Sequence, residues 1–490
     1  MFGDLSIGST VFLLLALGLA LSFEFVNGFH DTANAVATVI YTHSLRPTVA
    51  VVWSGLWNLI GVLTSSGAVA FGVLALLPVE LILNVGSGAG FAMVFSLLLS
   101  AIIWNLGTWY FGLPASSSHT LIGSIMGVGL ANALHHAGSH FGEGVNWAKA
   151  GEVGFSLLAS PLVGFCAAAG LLLLMKVLVR RPELYREPAR DKAPPLWIRA
   201  ILVFTCTGVS FAHGSNDGQK GMGLILLILI GVLPGQYAIN PSVDPAAVER
   251  IVAASRSVQP ILDRHANGAS VESAAGGLSD YLKVGGKVGG STFAALALEN
   301  RSIATVLASG KPIQAMDKDE RGHLRSSIYL VSETILKLTN SGQFPGDAER
   351  AELASFRGSL DHLTKYIPAW VKVAVAIALG LGTMIGWERI VVTVGEKIGK
   401  THLSYAQGAA AELVAAATIG AADVFGLPVS TTHVLSSGVA GTMAANHSGL
   451  QMNTLRNLLL AWVLTLPVCV FLGALLFSLG LNAVLALGLK

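Results

Sequence analysis

Two copies of one polar motif lie inside hydrophobic sequence. Residues 111–119 read FGLPASSSH and residues 425–433 read FGLPVSTTH. Proline suits the first turn of a helix, and serine or threonine supplies capping oxygens there. The free N–H groups and partial positive charge of a helix N-terminus suit an oxyanion. The repetition predicts two helix starts that hold one anion, whereas plain helix capping would explain either copy alone.

Hydroxyl and amide side chains in and near these helix starts are the candidate anion ligands. Hydroxyl groups donate to oxyanion oxygens, and side-chain amides both donate and accept. The candidate set consists of Ser116, Ser117, Ser118, Ser430, Thr431, Thr432, Asn34 and Asn216.

A second repeated motif carries carboxylates. Asn27-Gly-Phe-His-Asp31 aligns with His213-Gly-Ser-Asn-Asp217. A carboxylate inside a bilayer costs at least about 2.5–3.5 kcal/mol, so two at equivalent positions indicate a function. We expect Asp31 and Asp217 to bind a cation, a proton or a protonated substrate, with His30 beside them. The alternative is a pair of structural carboxylates satisfied by backbone N–H groups at helix breaks.

Lys220 breaks the symmetry between the two copies. It follows Asp217 by three residues and stands where the first copy has Asn34. Residues three apart on a helix can touch. A buried ammonium group there would neutralise Asp217, contact an anion, or replace a bound cation. The alternative is a lysine that extends its amine to the membrane interface.

Histidines and one amide at the same level are accessory candidates, because histidine titrates near neutral pH. These accessory residues are Asn27, His119, His213 and His433. For the two motif histidines, a place in the site and a plain helix contact both stay open. Glu24 and Glu412 also lie in apolar segments without an acidic partner in the other copy, and interface pairing competes with transport for them.

The composition predicts the elements that must position these residues. The 490 residues are 53% hydrophobic and only 12% charged, whereas soluble domains carry about 25% charged residues. Many apolar stretches reach the roughly 20 residues that cross a bilayer. We therefore predict an all-α polytopic membrane protein. The net charge of +2 does not indicate a partner, and nothing in the sequence indicates nucleic-acid binding.

The two motifs recur in the same order, which predicts two five-segment repeats. Asp31 precedes His119 by 88 residues and Asp217 precedes His433 by 216 residues. A charged region, 235–366, accounts for the longer spacing in the second copy. This region contains 14 of the 30 Lys and Arg residues and 14 of the 28 acidic residues. We read it as a soluble insertion. An odd number of crossings per repeat would make the copies inverted in the membrane.

The predicted domains follow from this repeat. They are a first transmembrane repeat (1–179), a basic cytoplasmic linker (180–198), the start of the second repeat (199–234), the soluble insertion (235–366) and the remainder of the second repeat (367–490). Excess Lys and Arg marks cytoplasmic loops, so the termini and the insertion should lie outside. Segments 8–41 and 199–234 exceed 30 residues, too long for a bilayer core of about 30 Å, and we expect both to be broken helices.

At these motifs the sequence resembles the inorganic phosphate transporter (PiT) family, and most of all its bacterial low-affinity Pit-type permeases. The resemblance covers nearly all of the membrane part and rests on Asn27–Ile40, Trp104–Gly123, Ala212–Leu224 and Gly426–Gly441. It implies secondary phosphate uptake, inverted repeats and a homodimer.

The chain departs from the family signature Gly-Ala-Asn-Asp-Val-Ala-Asn at two informative positions. The first copy has His30 for the first Asn, and the second has Lys220 for the last Asn. Sodium-coupled members resemble the signature in both copies. The lysine therefore favours proton coupling, which resembles what is described for bacterial Pit-type permeases. Those carriers are also thought to move neutral complexes of a divalent metal, such as Mg²⁺, with hydrogen phosphate.

We therefore expect a phosphate:proton symporter of the bacterial inner membrane, without a fixed metal or cofactor and without enzymatic activity. A membrane enzyme would need a nucleophile–base set or an exposed metal centre, and no such spacing is present. A sodium-coupled phosphate symporter and a permease for sulfate or another oxyanion would share the fold. A channel would show uptake without proton dependence.

Overall fold

The computed structural model describes residues 5–31, 33–76, 86–135, 142, 145–188, 193–237, 239–283 and 286–488. Within these residues the regular structure is helical, apart from an isolated antiparallel bridge between Gly399 and Leu450. This result confirms the all-α prediction.

The helices are numbered in chain order. The first seven are α1 (Ile7–Asp31), α2 (Ala33–Tyr41), α3 (Pro47–Thr64), α4 (Ala68–Leu74), α5 (Gly88–Tyr110), α6 (Ser117–His135) and α7 (Trp147–Leu178). The next seven are α8 (Leu196–Val232), α9 (Pro234–Tyr237), α10 (Pro245–Ala266), α11 (Ala274–Leu282), α12 (Gly290–Ala308), α13 (Lys318–Asn340) and α14 (Asp347–Thr364). The last five are α15 (Ala369–Thr383), α16 (Glu388–Val392), α17 (Tyr405–Val424), α18 (Thr431–Ala445) and α19 (Met452–Ala486).

Six described segments are long and apolar enough to cross a membrane. They are Ile7–Tyr41, Pro47–Thr64, Gly88–Tyr110, Ala150–Leu178, Leu196–Val232 and Met452–Ala486. The remaining four segments of the two predicted five-segment repeats correspond to α6, α15, α17 and α18. Both motif helices are almost wholly buried, because nearly every residue of α6 and α18 is covered by neighbouring helices. Their polar residues therefore face protein and not lipid.

Of the two predicted helix breaks, the structure contradicts the one in the second copy. In the first copy α1 ends at Asp31 and α2 begins at Ala33. In the second copy α8 is a single uninterrupted helix of 37 residues. The polar residues in its middle do not break it, because Asp217 contacts His213 and Lys220, one turn away on either side, and no backbone group is needed to satisfy it.

Both Ser/Thr motifs follow the same helix end. Gly112 and Gly426 each have φ of 65°, a left-handed conformation that glycine adopts without strain. The Leu113 N–H donates to the Thr108 carbonyl and the Leu427 N–H donates to the Ala422 carbonyl, both at 2.9 Å. This six-to-one bond belongs to the Schellman motif. It turns the chain sharply, and the next helix begins three residues after the proline, at Ser117 in the first copy and Thr431 in the second. The predicted place of the proline in the first helical turn is therefore wrong.

Close helix packing joins the two copies crosswise. A methyl group at Gly28 of α1 would lie 2.9 Å from the Thr383 nitrogen of α15. A methyl group at Gly214 of α8 would lie 2.7 Å from the Asn58 Cα of α3. Gly28 and Gly214 hold the same place in the two carboxylate motifs. The first long helix of each copy thus packs against a helix of the other copy.

The motif helices show the same crossing. Gly127 of α6 packs on Val470 of α19, and Gly441 of α18 packs on Phe165 of α7. These two glycines hold the same place in the two motif helices. Each motif helix therefore lies on the final helix of the other copy. Small residues permit such close backbone approach in membrane proteins.

The described chain divides into two compact units. The first holds Met1–Leu77, Ala92–Ile225 and Pro368–Lys490, and contains every candidate site residue. The second holds Pro78–Phe91 and Leu226–Ile367, which includes the region predicted to be an insertion. The second unit has its own apolar core, contributed mainly by α10, α12, α13 and α14. The predicted helix at 317–338 is α13, which opens with a capping box between Asp317 and Glu320.

Candidate functional site

The two carboxylates of the repeated motif meet in the first unit. Asp31, at the end of α1, and Asp217, in the middle of α8, are both buried. Between them lies the ring of His213, whose Nε2 atom is 3.9 Å from Asp31 Oδ2 and 3.5 Å from Asp217 Oδ2. The structure therefore brings these predicted coupling residues into one buried cluster.

The orientation of His213 follows from its other nitrogen. His213 Nδ1 lies 2.8 Å from Asn58 Oδ1, and the Asn58 amide nitrogen donates to Thr383 at 3.1 Å. With the amide in this orientation, Nδ1 must carry a proton, because the amide oxygen only accepts. Nε2 then faces two carboxylates, an arrangement that a second ring proton or a bound cation would satisfy.

Lys220 is buried and paired. Its Nζ atom lies 2.7 Å from Asp217 Oδ1 and donates to Ser118 Oγ at 2.6 Å. The side chain is fully buried, so the alternative of an amine extended to the membrane interface is wrong. A pair of this kind must be well hydrogen-bonded to offset the loss of hydration of both charges. Lys220 therefore neutralises Asp217 and also touches the first Ser/Thr motif.

Asp31 receives hydroxyl groups from both motif helices. Thr432 of α18 donates to Asp31 Oδ1, and Ser117 of α6 donates to Asp31 Oδ2 at 3.3 Å. His30 Nδ1 lies 3.2 Å from Oδ1, while its Nε2 lies 3.0 Å from the Thr108 hydroxyl. Hydroxyl groups from the starts of both motif helices thus meet at Asp31. That these helix starts hold one anion stays a prediction.

The serines that precede the motif helices act as caps. Ser116 Oγ accepts the His119 N–H at 3.2 Å, and Ser430 Oγ accepts the His433 N–H at 3.1 Å. Plain capping therefore accounts for one lone pair of each of these two hydroxyls. The Thr431 hydroxyl differs from them, because it is buried without a hydrogen-bond partner among the described residues.

The two motif histidines contact each other. The ring centroids of His119 and His433 are 4.7 Å apart, and the His433 ring stacks on Trp462 at 4.1 Å. His119 Nδ1 and His433 Nε2 are buried without a partner in the described part of the chain. These histidines join the two copies by a ring contact and retain one unused nitrogen each.

The amide candidates have different surroundings. The Asn216 amide nitrogen donates to the Leu427 carbonyl at 3.2 Å, and its oxygen has no partner among the described residues. Both polar atoms of the Asn27 side chain are buried and lack a hydrogen bond in the described structure. The side chain of Asn34 lies outside the described residues.

Three of the buried groups have the spacing of metal ligands. One ligand atom each from Asp31, His213 and Asp217 lies within 4.8 Å of the others. Carboxylate oxygen and imidazole nitrogen are common ligands of divalent ions. Metal-ligand spacing was not visible in the sequence, because His213 and Asp31 are 182 residues apart.

Several polar residues of the site were not singled out in the sequence. The Asn105 amide donates to Ser117 at 3.4 Å, and its oxygen accepts the Thr120 hydroxyl at 3.0 Å. Asp423 accepts the Ser215 hydroxyl at 2.6 Å and a hydrogen bond from Gln219. An amide or carboxylate in an apolar helix was the available signal, but neither residue recurs in the other copy.

The arrangement suits a small hydrogen-bonding anion accompanied by positive charge. Two helix N-termini and several hydroxyl groups provide donors, while two carboxylates provide acceptors. Net neutrality requires a proton or another cation, because Lys220 balances only one carboxylate. In a low-dielectric interior, each unbalanced charge is expensive.

Known proteins of one kind match this chain over nearly its whole length. It is 43% identical to the low-affinity inorganic phosphate transporter PitA of Escherichia coli K12, with 98% of this chain and 99% of that protein covered. It is 41% identical to PitB of the same strain, with 99% of each chain covered. A probable low-affinity inorganic phosphate transporter of Bacillus subtilis is 26% identical over 95% of this chain and 96% of its own length.

A solved structure described as the sodium-dependent phosphate transporter has the same fold. The TM-score is 0.52 at 18% sequence identity, and the match covers 96% of this chain and 98% of that one. The profile of the phosphate transporter family matches residues 27–473. This match spans both repeated motifs and confirms the resemblance noted in the sequence. The chain belongs to the phosphate transporter family.

Proposed function

We propose that this chain is a secondary active transporter that imports inorganic phosphate by symport with protons. One observation carries the proposal: hydroxyl groups from both motif helices form hydrogen bonds within a buried cluster of one lysine and two carboxylates. Family membership and the apolar helices identify a multi-pass inner-membrane protein. The relatives are named as transporters, so the prediction that the chain is not an enzyme is confirmed.

Hydrogen phosphate is the anion that this site fits best. Asp31 and Asp217 repel an anion that has no proton, but each can accept the O–H of hydrogen phosphate. The motif hydroxyls and the N–H groups at the starts of α6 and α18 would bind the remaining oxygens. Sulfate lacks the O–H and would leave a buried carboxylate unpaired, which is a strong basis for rejection.

Lys220 supports proton coupling over sodium coupling. Its ammonium group already occupies a position 2.7 Å from Asp217, where a sodium ion would otherwise find its carboxylate ligand. One charge is thus supplied permanently by the protein, and the remaining positive charge must arrive with the substrate. A proton can do this by binding a carboxylate or a histidine.

A divalent metal such as Mg²⁺ would travel with the phosphate as part of the substrate. The cluster of Asp31, His213 and Asp217 offers three of its ligands, and hydrogen phosphate would add oxygens. The complex is neutral, so its transfer through the low-dielectric part of the protein avoids the cost of moving a bare dianion.

The two copies are inverted five-segment repeats in our proposal. The support is the crosswise packing of the two copies. The contact of α1 with α15 is equivalent to the contact of α8 with α3, and the contact of α6 with α19 is equivalent to the contact of α18 with α7. Alternating access would shift one site between the two faces. The insertion at 235–366 would then lie outside. A homodimer is proposed from the family resemblance.

Phosphate uptake into proteoliposomes tests this function. We expect accumulation of radiolabelled phosphate driven by an inward proton gradient, independent of sodium, stimulated by Mg²⁺ and resistant to competition by sulfate. Strict sodium dependence would contradict proton coupling. Competition by sulfate would indicate a broader oxyanion permease, and uptake that never exceeds equilibrium would indicate a channel.

The variant Lys220→Asn is the informative companion in the same assay. It removes the ammonium group beside Asp217 and restores the residue that the first copy has at that position. We expect sodium to stimulate uptake by this variant and the proton dependence to weaken. Unchanged proton coupling would show that Lys220 does not replace a cation.

A further inference from the structure

Glu24 is a buried acid outside the cluster described above. It lies in the second half of α1 and is fully buried. Neither carboxylate oxygen has a hydrogen-bond partner among the described residues. The Asn27 amide, one turn later, interacts with the carboxyl group but forms no hydrogen bond of good geometry with it. This carboxyl group therefore lacks the donors that a buried carboxylate requires.

The other copy explains why Glu24 lacks a partner. The alignment of the two copies places Ser210 at the position of Glu24, and the Ser210 hydroxyl lies 2.9 Å from that of Ser54 on α3. Gly61 of α3 and Gly382 of α15 make equivalent contacts, with the Phe211 and Phe25 carbonyls respectively. This correspondence aligns Ser54 with Val375, which is fully buried and has no polar side-chain atom. The first copy thus has a longer, acidic side chain at a place where its neighbour is apolar.

The neighbouring helix leaves room for this carboxyl group by means of a glycine. A methyl group at Gly221 of α8 would lie 2.6 Å from the Glu24 carboxyl carbon and from its Oε1 atom. Gly221 directly follows Lys220. The carboxyl group therefore packs on the α8 backbone beside the buried charge cluster.

The charged groups that act on Glu24 lie on α8, and α15, which also packs on α1, carries one further charge. The groups on α8 are Asp217, which repels a negative charge there, and Lys220 and His213, which attract one when protonated. On α15 the charged residue is Lys372, whose amine donates to the Ser65 carbonyl at 2.7 Å. On α1 itself, Asp31 and His30 lie about two turns away along the helix.

An ionised Glu24 would lose its hydration here without gaining a hydrogen-bond donor in return. A proton on the carboxyl group removes the larger part of this cost, because a neutral polar group is much cheaper to bury than a charge. On the basis of the proposed proton-coupled function, we propose that Glu24 is a proton-carrying residue of the transport cycle. It is protonated in the conformation described here and deprotonated in the opposite one.

The proposed step is a simple proton transfer. In the conformation open to the cytoplasm, the O–H bond of Glu24 breaks and the proton passes to a water molecule. The remaining carboxylate is balanced by Lys220, the nearest cation on the adjacent stretch of α8. Reprotonation from the outside resets the carrier and releases Lys220 to Asp217.

Glu412 is a matched control on another helix. It is also fully buried, but its carboxylate accepts the Thr38 hydroxyl at one oxygen and the Thr205 hydroxyl, at 2.5 Å, at the other. A carboxylate with a donor on each oxygen is a structural link between α2, α8 and α17. Glu412→Gln therefore removes a buried carboxylate without removing the group that we assign to proton transport.

The test compares two transport modes in proteoliposomes. Phosphate exchange at equal pH on both sides needs no net proton movement, whereas accumulation against a gradient does. We expect Glu24→Gln to retain about half or more of the exchange rate while proton-driven accumulation falls about tenfold or more. Glu412→Gln should keep the wild-type ratio of accumulation to exchange.

Infrared spectroscopy provides a readout that is independent of transport. A protonated carboxyl group has a C=O stretch distinct from that of a carboxylate. We expect this band in the wild-type protein at neutral pH and its loss in Glu24→Gln. If Glu24→Gln does not fold, Glu24→Asp should shift the band and the pH dependence of accumulation.

Three results would overturn the proposal. Normal proton-driven accumulation by Glu24→Gln would show that the proton travels elsewhere. Loss of both transport modes in a folded variant would assign Glu24 to phosphate binding or to the structure. An unchanged infrared band would show that Glu24 is ionised. A wild-type protein that uses only sodium would instead refute the proposed proton coupling itself, whatever the variants do.

Discussion

At the scale of single residues, the site separates two kinds of buried charge. Asp217 has a permanent cation 2.7 Å away in Lys220. Among the described residues, Asp31 has as partners hydroxyl donors and histidines, which are neutral or charged according to whether they hold a proton. One carboxylate is therefore fixed in charge, and the other depends on what the transporter binds.

This difference predicts unequal costs for two similar changes. Asp217→Asn leaves the Lys220 charge buried and unpaired, which costs about 3–5 kcal/mol. Asp31→Asn removes a charge that has no fixed counter-ion, so its effect on stability should be smaller. We expect both variants to lose proton-driven uptake, but only Asp217→Asn to lower the unfolding temperature strongly in detergent.

A double variant provides the control for this prediction. Asp217→Asn combined with Lys220→Met removes both charges and should regain most of the lost stability without regaining uptake. Equal melting temperatures for the two single Asp→Asn variants would contradict the assignment of Lys220 as the partner of Asp217.

The sequence predicted most of these residues but not their roles. Repetition identified both aspartates and both Ser/Thr runs, and the contacts of Asp31 with Ser117 and Thr432 place them together. The capping role of Ser116 was visible only as an alternative. The bond between Asn58 and His213 could not be foreseen, because the two residues belong to different copies and neither spacing nor composition links them.

At the scale of helices, close packing depends on single glycines. Gly28 and Gly18 both lie on α1. A methyl group at Gly28 would lie 2.9 Å from the Thr383 nitrogen, whereas one at Gly18 meets nothing within 4 Å. The two positions therefore separate the effect of helix packing from the intrinsic preference of alanine for a helix.

We expect Gly28→Ala and Gly18→Ala to have opposite effects on stability. The first forces α1 away from α15 and should cost about 1–3 kcal/mol or more, as overpacked cores do. The second should be neutral or stabilise by about 0.5–1 kcal/mol. Thermal unfolding in detergent measures both, and a stable, active Gly28→Ala protein would contradict the packing described here.

Helix boundaries show where sequence patterns succeed and fail. The starts of the motif helices were predictable to within a few residues, because a capping serine directly precedes each of them. The continuity of α8 was not, since Gly, Asn and Asp usually interrupt helices. Asp217 is paired with His213 and Lys220, one turn away on α8, and Asn216 donates to the Leu427 carbonyl of another segment. A local sequence pattern does not reveal such partners.

At the scale of the whole molecule, the charge bias of the loops predicts which residues face the cytoplasm. Arg186 belongs to the basic linker and Ser309 to the proposed insertion, and both are exposed. We expect a membrane-impermeant maleimide to label Ser309→Cys in intact cells and Arg186→Cys only after the membrane is permeabilised. Native Cys166 is exposed, so each variant is compared with a Cys166→Ser background.

The opposite labelling pattern would invert the proposed orientation. Labelling of both cysteines from outside would contradict a single crossing by α8. The boundaries of the insertion, 235–366, remain a prediction, although the second compact unit, which contains Leu226–Ile367, includes this region. Composition could locate this region because charge density changes abruptly, but it gives no account of what its surface does.

The crosswise packing of the motif helices has a consequence for biosynthesis. Gly127 rests on Val470, which a ribosome reaches 343 residues later. At about 5–20 residues per second, that delay is roughly 20–70 s. During this interval α6 already lies in the membrane without the later contacts of Ser118 with the Val429 carbonyl and of His119 with His433. The nascent first half must therefore be sheltered by the insertion machinery, by lipid headgroups or by a temporary helix contact until its permanent neighbour is made.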